Sequence, residues 1–237
     1  MAPTKLAIFD VDGTLLHSNA ADEACFVQAF CDALGFEAID TNWLAYRHTT
    51  DSGITEQVFQ ERFGRGPRDD EVARLRARFV ALLGTELGRR PEGAAPVAGT
   101  AAMLARLAED SDWAVALATG GWSASTDLKL AASGLDVSAL PAAHAEDGPS
   151  RESIVSVAWR RAREHYGVDA FAHVVSVGDA VWDVRAAAGL GLPLVGIAAE
   201  ADASALYSEG ASHVVGDFTD AEGFLAALEE ATVPLSG

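Results

Sequence analysis

Asp10 and Asp12 stand one residue apart where the apolar run Leu6-Ala7-Ile8-Phe9 ends, and Gly13, Thr14 and Leu15 follow them. A buried strand accounts for the apolar run, and a turn accounts for the glycine. Neither accounts for two carboxylates so close together, because like charges repel. A cation should offset them. Other polar residues recur behind apolar runs: Thr119 after Ala114–Ala118, and Asp179 after Val174–Val177, with Asp183 four positions on. Arg151 opens a long helical pattern. Phosphoryl transfer needs this kind of inventory: a nucleophile, an acid for the leaving oxygen, and cations that spread the charge of the transferring group. Taken singly, the residues have plainer readings. Thr119 suits a helix cap, Arg151 a surface position with Arg160 as the other basic candidate, and Asp183 a first-turn acid answering the helix dipole. Asp10-Val11-Asp12-Gly13 also suits a solvated turn. A calcium loop is disfavoured because the sixth position is Leu15, where that pattern requires glycine.

The elements that must position these residues alternate. Leu6–Phe9 reads as a strand covered on both faces. From there to about residue 95 the pattern is helical. Phe26, Ala29, Phe30, Ala33 and Leu34 share one face, with Gly35 as a stop, and Thr41–Tyr46 reads as a second short helix. His48–Gly53 is loop-like, Thr50 to Ser52 offer N-caps for a helix over Ile54–Phe63, and Val72, Leu75, Phe79, Leu82 and Leu83 mark another. From Pro96 onward, helices over Val97–Leu107, Ser123–Ser133, Arg151–Tyr166, Val181–Ala188, Ala203–Ser208 and Ala221–Ala231 alternate with strands. These run over Ala114–Ala118, Leu140–Ala143, Val174–Val177, Leu194–Ile197 and His213–Val215. The expected fold is α/β: a doubly wound, Rossmann-like parallel sheet (residues 1–15 and 96–237) with a small all-helical cap domain (residues 16–95). Hinges are expected near Leu15–Asn19 and Arg90–Pro96. In such sheets ligands bind outside the carboxyl ends of the strands, which is where Asp10, Asp12, Thr119 and Asp179 fall.

With its spacing, Asp10-Val11-Asp12-Gly13-Thr14 resembles the first motif of the haloacid dehalogenase-like hydrolases, which are mostly phosphatases. Thr119 matches the Thr or Ser of the second motif and Arg151 the basic residue of the third. Gly178-Asp179-Ala180-Val181-Trp182-Asp183 matches the acidic fourth. The order fits across almost the whole chain, with a helical cap between the first two motifs, as in phosphoglycolate phosphatases and beta-phosphoglucomutases. The resemblance implies that Asp10 is the nucleophile and forms an aspartyl-phosphate. Asp12 would protonate the leaving group and then deprotonate water. Mg²⁺ would bind Asp10, the Asp12 backbone carbonyl and Asp179, with Asp183 bound directly or through water. Thr119 and the Gly120 N–H would hold phosphate oxygens, and Arg151 would supply fixed positive charge where the family more often has Lys.

Carbon–halogen dehalogenases of the family lack the second acid of the first motif, so Asp12 favours phosphoryl transfer. Phosphonoacetaldehyde hydrolases use a cap lysine as a Schiff base, and the two lysines here, Lys5 and Lys129, lie outside the cap. A phosphosugar mutase on the same scaffold remains the alternative, and a catalytically idle phosphate-binding module a third. Substrate selection is expected from the cap loop, with Arg47 and His48 for an anionic or polar leaving group and Thr50 or Asp51 for a hydroxyl. His17 and Asn19 stand at the cap entrance, and Trp122 beside Thr119 reads as pocket wall or core.

The bulk properties bound the partners. The net charge of −18 argues against nucleic acid and anionic membranes. Residues 16–95 carry nine Lys/Arg against thirteen Asp/Glu, and the remainder eight against twenty-two, so the expected cap is the less acidic part. Cys25 and Cys31 are six apart on a helix and face different ways, which fits a reducing cytoplasm. The N-terminus lacks the apolar stretch of a signal peptide, and no run reaches the length of a membrane span. A small-molecule phosphomonoester is the expected partner, with the protein a monomer or homodimer.

Overall fold

The structure is a computed structural model and describes residues 2–109 and 112–235. Six strands form one parallel sheet. In chain order they are β1 (Lys5–Phe9), β4 (Trp113–Ala118), β5 (Ala142–Ala143), β6 (His173–Gly178), β7 (Leu194–Ile197) and β8 (His213–Val215), in the spatial order β5-β4-β1-β6-β7-β8. The central strand β1 explains its own apolar run. Ala7 and Phe9 pack into one core with Met103, Leu107, Phe224 and Leu228. Leu6 and Ile8 pack into another with Ile154, Ala158, Val184 and Ala187. Both faces of the sheet are covered, by α4 (Thr100–Glu109) and α9 (Ala221–Glu230) on one side and by α6 (Arg151–Tyr166) and α7 (Val181–Leu190) on the other. Helices α5 (Ser123–Ser133) and α8 (Ala203–Ser208) complete the crossovers.

Between β1 and β4 the chain builds α1 (Asn19–Leu34), α2 (Asp51–Phe63) and α3 (Asp69–Arg89), which share an aromatic core of their own around Phe26, Phe30, Phe59 and Phe79. Where the chain enters and leaves this helical segment, β2 (Leu16–His17) and β3 (Ala95–Pro96) pair antiparallel. The two expected hinges are therefore hydrogen-bonded to each other. Among the described residues, no helix is long and apolar enough to cross a membrane.

Local differences from the sequence expectation have identifiable causes. Thr41–Tyr46 is not a helix but a single 3-10 turn over Trp43–Ala45. Side chains hold it as a loop: Asp40 accepts from the Asn42 N–H at 2.8 Å, and the Trp43 indole donates to Glu23 at 2.8 Å. The helix expected from Val97 starts at Thr100, because the Val97 N–H donates to Leu15 and Gly99 adopts φ +82°. Helix α2 begins three residues earlier than expected, at Asp51, with the Thr50 hydroxyl accepting from the Gly53 N–H at 3.0 Å.

Candidate active site

Register brings the polar strand ends together. Phe9 stands level with Leu117 on one side and Val177 on the other, so Asp10, Ala118 and Gly178 start the same row. The Asp10 N–H still donates to the Val177 carbonyl at 2.9 Å, which fixes the backbone that carries the carboxylate. The chain then turns sharply: Leu15 and Leu16 N–H both return to the Val11 carbonyl, and Gly13 donates to Leu16 at 2.7 Å. Gly13 has φ +82°, and a Cβ there would stand 1.9 Å from Asp179 Oδ2. Only glycine permits both the turn and the close approach of Asp179.

Three carboxylates converge under this turn. Asp10, Asp179 and Asp183 each offer an oxygen within 4.8 Å of the others. Asp183 lies in the first turn of α7 and is held by the Ala180 N–H at 3.2 Å, and Asp179 accepts from the Asn19 amide at 3.2 Å. Arg151, the first residue of α6, places Nη1 at 2.8 Å from Asp10 Oδ1 and 3.3 Å from Asp183 Oδ1. Asp10 Oδ2 is buried with no hydrogen-bond partner. Burial, with the nearby Asp183 and Asp12 charges, pushes the Asp10 carboxyl up to about 7 against the pull of Arg151. Burial likewise raises Asp179, helped by Asp183 and Asp10, and raises Asp183. Burial alone would weaken the Arg151 charge, but Asp10 and Asp183 outweigh it and hold the guanidinium protonated.

Thr119 follows β4 and is 1 % exposed, its Oγ1 accepting from the Gly121 N–H at 3.1 Å. Gly120 presses against Arg151: a Cβ there would lie 2.9 Å from the guanidinium carbon. The second-motif loop is thereby packed directly onto the basic residue of the third.

One residue at the site escaped sequence reasoning. Lys129 on α5 is 0 % exposed, with Nζ at 2.7 Å from Asp12 Oδ2 and also hydrogen-bonded to Asp22 of α1. The Ser18 hydroxyl donates to the other Asp12 oxygen. Both Asp12 oxygens therefore meet donors, at a residue that lines the same cleft as Asp179 and Arg151. Burial alone would favour the neutral amine of Lys129, but Asp12 and Asp22 outweigh it and keep the ammonium. Lys129 thus reaches the site paired to two carboxylates rather than as a free amine.

Above these groups lies a cleft of about 240 Å³, lined by Asp12, Asp22, Phe26, Trp43, Asp51, Arg151, Asp179 and Trp182 among others. A second cavity of about 260 Å³ holds Arg47 and His48 and shares Thr49, Arg151 and Trp182 with the first. The structure does not bring every expected cap residue to the cleft. His17 is exposed in β2 and lines neither cavity, because its strand pairing turns it outward. Trp122 is 1 % exposed and packs against Phe26 and Phe79 at 5.8 and 6.3 Å between ring centroids, so it is core rather than wall. Thr50 is also buried, spending its hydroxyl on the Pro149 carbonyl at 2.8 Å and on its capping bond. Trp182, which the sequence marked only as a neighbour of Asp183, lines both cavities.

Asp51 joins α2 to the second-motif loop. Its N–H donates to Gly120 at 2.8 Å, and its carboxylate accepts from the Trp122 N–H at 2.8 Å. Burial, then the nearby Asp22, raises its pKa well above the ordinary carboxylate range. A raised folded-state pKa means that ionisation opposes folding as pH climbs above the unfolded value. Asp51→Asn keeps the acceptor and removes the charge. The variant is expected to melt above the parent at pH 8 and with it at pH 4, measured by calorimetry. A lower melting temperature at both values would show that the charge itself holds the junction.

The chain matches the family model of haloacid dehalogenase-like hydrolases over residues 4–191. No curated protein matches it. A hydrolase from Pseudomonas syringae is similar in structure, with a TM-score of 0.70 at 22% identity, over 95% of this chain and 99% of the other. CbbY from Rhodobacter sphaeroides, in complex with phosphate, gives 0.66 at 20% identity, over 94% and 98%. A family IA hydrolase from Entamoeba histolytica gives 0.65 at 14% identity, over 95% and 100%. At these identities the solved structures share the fold. The matched range spans all four motifs, from Asp10 to Asp183, and the chain belongs to the haloacid dehalogenase-like hydrolases.

Proposed function

We propose that the protein is a Mg²⁺-dependent phosphatase that hydrolyses a small organic phosphomonoester through an aspartyl-phosphate on Asp10. The observation that carries this reading is the Asp10 carboxylate. It is 4 % exposed, one oxygen is held by Arg151, and the other is buried and unpartnered beside two further acids. A carboxylate built for stability would not be left so. Asp10 attacks phosphorus, and Asp12 gives a proton to the leaving oxygen. Water then attacks the acyl phosphate while Asp12 takes its proton, which returns both side chains to their starting states. Arg151, Thr119 and the Gly120 N–H hold the phosphoryl oxygens.

The donors fit a hard cation. Three clustered carboxylates with an orphaned oxygen, under a turn whose glycine leaves no room for a side chain, are oxygen ligands of the kind Mg²⁺ takes. Asp10, Asp179 and Asp183, with the Asp12 backbone carbonyl, would hold it, and it would supply charge neutralisation at the transferring group. In this reading residues 16–95 act as a cap that closes over the cleft, and Arg47, His48 and Asp51 meet the leaving group. CbbY has also been crystallised with xylulose-(1,5)bisphosphate, and an organic phosphate as the ligand class here agrees with that.

A panel of small phosphate esters, sugar phosphates included, tests the proposal. Mg²⁺-dependent release of inorganic phosphate is the expected result. Isomer formation exceeding phosphate release would make the protein a mutase, and no turnover on any ester would make it a binding module.

A further inference from the structure

Both oxygens of Asp12 are spoken for: Ser18 donates to one and Lys129 to the other. The second bond comes from a fully buried ammonium whose remaining anchor, Asp22, belongs to α1. Burying a lysine is costly, and an apolar side chain on α5 would fill the same space without that cost. Such a group at the catalytic turn calls for a role in the reaction. With both oxygens engaged, the carboxylate has one orientation, facing the cleft that Asp12 lines.

We propose that Lys129 is a positioning residue for the second half of the cycle. It fixes the Asp12 carboxylate where the attacking water must lose its proton. The inference rests on the phosphatase reading above. In that step the water oxygen bonds to phosphorus as the phosphorus–oxygen bond to Asp10 breaks. One water proton passes to Asp12, the electron pair returns to the Asp10 carboxylate, and hydrogen phosphate leaves. Lys129 neither gives nor takes a proton.

Rapid-mix kinetics with p-nitrophenyl phosphate and Mg²⁺ tests this. p-Nitrophenolate leaves without being protonated, so forming the aspartyl-phosphate asks little of Asp12, whereas its hydrolysis needs the base. Lys129→Met is expected to release about one nitrophenolate per active site in a burst. Its steady state should then be slower than the parent's by on the order of 100-fold, the scale of general-base assistance. Lys129→Arg, which keeps the charge, should recover part of that loss. Asp22→Asn, which loosens the anchor, should show the same burst with a smaller slowing of roughly 10-fold. A folded Lys129→Met that lacks a burst, or matches the parent, overturns the inference. If that variant does not fold, an Asp22→Asn protein with parental kinetics overturns it. Asp10→Asn, run in parallel, reports on the phosphatase reading alone: turnover by that variant, or none by the parent, sinks the reading rather than the role of Lys129.

Discussion

Asp10→Asn is expected to abolish phosphate release, by on the order of 10⁴-fold or more, because the amide cannot form the acyl phosphate. It should do so without weakening the fold. Asparagine has the shape of aspartate, and its oxygen can still accept from Arg151. The carboxyl it replaces is pushed from 3.8 up to about 7, chiefly by burial, so desolvation outweighs the attraction of Arg151. A group whose folded pKa is raised costs stability as pH rises from the unfolded value through the folded one. Removing its charge should therefore leave the melting temperature unchanged near pH 4 and raise it at pH 8. Loss of activity with gain of stability is the signature of a residue kept for chemistry. It is checked by phosphate release beside thermal melts at the two pH values. Full activity in the variant would overturn the role of Asp10, and a lower melting temperature at pH 8 would overturn the electrostatic account of its environment.

The sheet and the sheet side of the site were legible because short-range patterns encode them. A continuous apolar run marks a strand covered on both faces; β1 and β4 end where those runs end, and β6 one residue beyond, at Gly178. Lys129 was not legible, and α5 explains why. Its buried residues are Ser125, Thr126 and Lys129, spaced three and four apart on one face. The usual rule makes such a stripe the solvated side of a helix. Here that face turns towards Asp12 and α1, so polarity and burial coincide. The signal was a lysine aligned with two small hydroxyl residues, and only the tertiary partners give it meaning. The placements of His17 and Trp122 were hidden for a similar reason. One depends on β2 pairing with β3, some eighty residues away, and the other on Phe26 and Phe79 arriving from the helical segment.

Mg²⁺ is expected to raise the melting temperature of the protein, and to raise it more at pH 8 than at pH 5. In the unfolded chain, Asp10, Asp179 and Asp183 ionise near 3.8; in the fold, burial raises all three, helped at Asp10 and Asp179 by the neighbouring acids, with Asp10 at about 7. Between about pH 4 and pH 7 the folded protein therefore carries protons that the unfolded chain has released, and metal-free stability falls as pH rises through that window. A divalent cation at the cluster must displace those protons. It competes poorly at pH 5 and meets ready carboxylates at pH 8. At a concentration one hundred times the dissociation constant it should contribute about 2.7 kcal/mol, which for a chain of this size is a shift of several degrees. Chelator should reverse the shift and the activity together. Asp179→Asn should blunt the shift while leaving the metal-free protein as stable or more so at pH 8. Calorimetry with Mg²⁺, with chelator, and with NaCl at matched ionic strength separates specific binding from screening. An equal shift at the two pH values, or one reproduced by NaCl, would overturn the assignment of these three carboxylates as the metal site.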